Sequence, residues 1–62
     1  MKRIIIFADG HWVTDGRVDR EGFIVDAPGL PEEVFQAIEV AMSMGSDVVI
    51  VGETEYQWEV SR

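Results

Sequence analysis

Sixty-two residues without a cysteine form one domain, residues 1–62, held by hydrophobic packing alone and barred from disulfides and thiolate metal sites. An apolar fraction of 47% opposes disorder, while the longest apolar run, Ile4–Ala8, is far too short to span a membrane. The formal net charge is −7, and residues 21–61 hold nine carboxylates and no Lys or Arg, which disfavours direct binding of nucleic acid or anionic lipid.

Lys2-Arg3-Ile4-Ile5-Ile6-Phe7-Ala8 is β-branched and continuous, the pattern of a strand covered on both faces. The basic start meets Asp9 too early for a signal-peptide core, so the cytoplasm is the expected compartment. Asp9-Gly10 and Asp15-Gly16 read as turn dipeptides, with Trp12-Val13-Thr14 and Arg17-Val18 as a short hairpin on either side of the second. Asp19-Arg20-Glu21-Gly22 is a further polar turn, and residues 22–26 are the next main strand.

Ala27-Pro28-Gly29-Leu30 breaks that strand, and Pro31 opens a helix predicted over 31–44 with Gly45 as its stop. Glu32 and Glu33 favour the positive end of the helix dipole. Leu30, Val34, Ile38, Ala41 and Met42 recur at helical spacing beside Phe35, and Glu32, Gln36, Glu39 and Ser43 lie opposite. Residues 47–52 form a second continuous apolar strand. Residues 55–60 alternate, with Tyr56, Trp58 and Val60 on one face and Glu55, Gln57 and Glu59 on the other, as in a half-buried edge strand.

These elements predict an α+β, two-layer sandwich: a mostly antiparallel four-stranded sheet with one amphipathic helix on one face. The two continuous strands are expected at the centre, in the spatial order 22–26, 2–8, 47–52, 55–60. One helix of about 14 residues, roughly 21 Å long, covers one face only. The other face calls for the hairpin carrying Trp12, a second copy of the chain as a homodimer, or a partner.

Residues 7–27 hold the single histidine, His11, and five acidic residues, so catalytic or metal chemistry is tested there first. An EF-hand loop begun at Asp15 would place Arg17, Arg20 and Asp26 at its third, sixth and twelfth positions, which fails. One His and no Cys fall short of a zinc set, and Asp9 with His11 needs an outside carboxylate to hold any metal. Neither phosphate-loop motif occurs, and no Ser nucleophile sits in a recognisable setting. The expectation is a non-enzyme without cofactor or metal, whose Asp and Gly residues serve turns.

Glu53, Glu55 and Glu59 share one parity in an extended chain, where alternate residues stand roughly 6.8 Å apart. With Glu32 and Glu39 they are predicted to form a negative surface that imitates a phosphate backbone and occupies the basic surface of a nucleic-acid-binding protein. Trp12 and Trp58 are candidate interface anchors, with partial core burial as the alternative. The other reading of the charge is solubility alone, leaving an accessory module that binds through an apolar sheet face.

The run GFIVDAPGLPEEVFQAIEVA, a strand, a proline-rich turn and an acidic helix start, resembles small antitoxin domains of the HicB type over about a third of the chain, and no functional residue carries over. In general profile the chain is similar to small acidic phage proteins that inhibit host enzymes or defence complexes. That likeness implies an inhibitor of anti-CRISPR or anti-restriction type, against an antitoxin-like interaction module.

Overall fold

The computed structural model describes residues 1–61. They form an α+β fold with five antiparallel strands and one helix: β1 Lys2–Ala8, β2 His11–Val18, β3 Ile24–Asp26, α1 Glu32–Ser43, β4 Val48–Val51 and β5 Thr54–Ser61. The sheet order is β3-β2-β1-β5-β4. Helix α1 packs on one face. Val34, Ile38 and Ala41 of the helix join Ile4 and Ile6 of β1, Val18, Ile24 and Trp58 in a single buried cluster.

Two sequence expectations are corrected. The short hairpin around Asp15-Gly16 is instead one unbroken strand, β2, which raises the strand count from four to five. A single turn at Asp9-Gly10 lets β2 fold straight back on β1, with Ile4 opposite Gly16 and Ile6 opposite Thr14. Gly16 is there for space rather than for a turn: a Cβ on it would come within 2.1 Å of the Asp26 carbonyl oxygen on β3. Thr14 is buried, and its hydroxyl donates to the Pro28 carbonyl at 2.8 Å, so the loop after β3 is tied to β2.

The second correction concerns order. The segment at 55–60 lies beside β1, and the apolar segment at 48–51 is the edge. A two-residue turn at Gly52-Glu53 joins β4 to β5 as a hairpin, with Val51 opposite Thr54. Of the two, the eight-residue β5 is long enough to pair with β1 from Arg3 to Ala8, whereas β4 is only four residues long. β5 pairs six of its residues with β1, from Arg3↔Ser61 to Ala8↔Tyr56.

The helix falls within one residue of its predicted limits. Pro31 stands at its N-cap, and Gly45, at φ +81°, follows its last turn. The Gly45 N–H donates to Met42 C=O at 3.0 Å and the Ser46 N–H to Ala41 C=O at 2.9 Å, the paired bonds of a Schellman motif. No helix among the described residues is long and apolar enough to cross a membrane.

Candidate interaction surface

Alternation along the strands divides side chains between the helix-covered face and an open one. Ile4, Ile6 and Trp58 point under the helix. Their neighbours therefore point outward, and the register aligns them in rows. Asp15, Ile5 and Glu59 form one row, Trp12, Phe7, Gln57 and Val48 the next, and Glu55 with Ile50 a third. A bulge between Ile6 and Phe7 explains why Trp12 and Asp15, three residues apart, share this face.

The open face thus carries an apolar strip of Ile5, Phe7 and Trp12 on one side and Val48 and Ile50 on the other, crossed between them by Glu55, Gln57 and Glu59 of the intervening β5. Trp12 is 63% exposed and Ile50 69% exposed. A shallow depression of about 350 Å³ reaches this face at Phe7, Gln57 and Glu59. No second layer covers the strip among the described residues.

Trp12 is held in place. Its indole Nε1–H donates to Asp15 Oδ1 at 2.7 Å, while Arg3 Nε donates to Asp15 Oδ2 at 2.9 Å and the Arg3 guanidinium also pairs with that oxygen. The Trp12 hydrogen bond, and then the Arg3 hydrogen bond, hold the Asp15 carboxyl below its ordinary value. Arg3 and Arg17 face each other at the far end of the strip, beside a cleft of about 550 Å³ that Lys2 and Asp26 also line. Positive charge is gathered at that corner and negative charge along β5.

The predicted acidic surface is not continuous. Glu55 and Glu59 share the open face, but Glu32 is exposed on the first turn of α1, in the other layer. Glu39 is half-buried, and its Oε2 accepts the Ile24 N–H at 3.3 Å, so it supports the start of β3. Glu53 is an exposed turn residue rather than part of a strand row. Trp58 is 6% exposed and belongs to the core, which leaves Trp12 as the exposed tryptophan. The parity that would have separated the two tryptophans was readable for Trp58, which follows Tyr56 on the inner face. For Trp12 it was hidden by the bulge.

Sequence reasoning expects an apolar sheet face away from the helix but does not name Ile5, Phe7, Val48 and Ile50 among the candidate binding residues. The helix count already leaves one face bare; which alternate residues occupy it depends on the register. His11 is exposed at the start of β2, opposite Ala8. Among the described residues no three His, Asp or Glu side chains are grouped so as to hold a metal ion. Comparison of the chain with protein-family models, with curated proteins and with solved structures finds no match in any of the three.

Proposed function

We propose that this chain is a small non-catalytic inhibitor that binds a larger protein and occupies its basic, nucleic-acid-binding surface, in the manner of anti-CRISPR or anti-restriction factors of phages and mobile elements. The observation that carries the reading is the open sheet face, where apolar patches holding exposed Trp12 and Ile50 lie on either side of the carboxylates Glu55 and Glu59. Large apolar side chains left uncovered on one face mark a protein-binding patch, and the carboxylates among them set the sign of charge it accepts. The acidic excess of residues 21–61 selects a basic partner. Within that excess, Glu55 and Glu59 are the carboxylates in place to stand in for phosphates beside the strip. Glu32, Glu39 and Glu53 add to the long-range field that speeds encounter, a contribution screened beyond about 8 Å at physiological salt.

The apolar strip also favours a second reading, an antitoxin-like or accessory module that docks through Trp12 and Ile50 with acidity serving solubility. Affinity capture from a host lysate at rising salt separates the two. Recovery of a nucleic-acid-processing protein that salt releases is the expected result. A neutral partner retained at high salt, or no partner at all, contradicts the inhibitor.

A further inference from the structure

The sheet ends on two unlike edges. β3 has three residues, joins β2 through an irregularity between Arg17 and Val18, and runs into Pro28 two residues on. Short length, a bulge and a nearby proline are the features that blunt an edge. β4 is also short, at four residues, but has neither a bulge nor a proline. Val48–Val51 is uncharged and β-branched throughout, and it keeps regular register with β5.

The hairpin fixes which backbone groups of β4 are free. Val51 and Thr54 face each other across a two-residue turn, the position of the hydrogen-bonded pair that closes such hairpins. Alternation then turns Val49 and Val51 toward β5, and Val48 and Ile50 outward. Two contacts agree. The Asp47 carbonyl accepts the Trp58 N–H at 3.4 Å, on the β5 side. Ser46 Oγ donates to the Val48 carbonyl at 2.8 Å and accepts the Val48 N–H at 3.3 Å. That hydroxyl stands where the backbone of a neighbouring strand would stand. Among the described residues no side chain does the same for Ile50.

Charge decides the occupant. Asp47 and Glu53 bracket β4, Glu55 lies opposite Ile50, and residues 21–61 offer no Lys or Arg. A second copy paired on this edge would bring carboxylates against carboxylates. We propose that the β4 edge accepts an extended basic segment of the partner protein as an added strand, an inference that rests on the reading of a basic partner given above. Alternate residues of that segment fall on the two faces. Those on the open face are Lys or Arg, with aliphatic stems along Val48 and Ile50 and charged heads toward Glu55, two strand spacings or roughly 9.6 Å away. Those on the helix side are apolar and extend the row of Val49 and Val51. Ser46 releases Val48 when the strand arrives.

The test is amide hydrogen exchange on the ¹⁵N-labelled chain with an end-blocked hexapeptide of alternating Arg and Val, and with its Glu–Val counterpart as control. At a peptide concentration ten times its Kd, exchange at Val48 and Ile50 is expected to slow about tenfold, with Val49 unaltered. Ser46→Ala is expected to tighten binding several-fold, and Ile50→Lys to abolish protection while the amides of Ile4 and Ile6 stay slow. Arg–Val binding without protection at Val48 and Ile50 overturns the edge assignment and leaves acidic recognition standing. Equal binding of both peptides overturns the basic occupant and the reading it rests on. Absence of Arg–Val binding, or protection that grows with protein concentration alone, overturns the proposal, the latter in favour of a second copy.

Discussion

Gly16 and Asp15 are neighbours in β2 that face opposite sides of the sheet and do different work. With the Asp26 carbonyl 2.1 Å from where a Cβ would sit, Gly16→Ala must push β3 away from β2. A loss of roughly 1–3 kcal/mol is expected, the range for overpacked sites, measured by urea unfolding. An unchanged midpoint would show that the strands are not in close contact there. Asp15 makes a pH prediction. Its folded pKa is lowered by Trp12 and then Arg3, so its stabilising effect is present above the ordinary value of 3.8 and is lost as pH falls through the lowered one. Trp12 should therefore keep its fixed setting through the ordinary carboxylate value of 3.8 and loosen only as pH falls through the lowered one, and Asp15→Asn should remove that acid transition from the tryptophan fluorescence. A transition unaltered in the variant would assign it to another carboxylate. The Asp15-Gly16 pair was legible as a special backbone site but not as a strand interior. Close approach to β3 is a tertiary fact, and a dipeptide that suits a turn leaves the same mark in the sequence.

Helix α1 was the most legible element, because periodicity, Pro31 and Gly45 all agree on its limits. Gly45 has open space around its Cα, so Gly45→Ala meets no clash and pays only for φ +81°. The cost of a left-handed residue, partly offset by a less flexible unfolded chain, gives an expected loss of about 1 kcal/mol. Thermal unfolding measures it, and a neutral result would mean that the Schellman bonds from Gly45 and Ser46 are dispensable. The strands were less legible. The apolar run at 48–51 reads like a central strand, yet it is an edge, since continuous apolarity reports side-chain character and not which neighbours are present. β5 shows the converse: its alternation sets Trp58 on the face opposite the glutamates, which the structure shows to be the core rather than an interface, while its position beside β1 depended on strand length and on the two-residue turn.

At the scale of the whole molecule, net charge was legible and its arrangement was not. The sequence suggests one acidic surface, and the fold separates it into Glu55 and Glu59 on the open sheet face and Glu32 and Glu33 on the first turn of the helix, in the other layer. This separation makes the central claim testable with a charge control. Glu55→Lys with Glu59→Lys, and Glu32→Lys with Glu33→Lys, each raise the formal charge by four, from −7 to −3. Any general effect of net charge on encounter is thus the same in both. The measurement is the affinity of each double variant for the captured partner protein. The sheet-face variant is expected to lose roughly one to two orders of magnitude in Kd while the helix variant stays within a few-fold of the unaltered chain. Equal losses in the two variants, or a larger loss in the helix variant, would contradict binding through the open face.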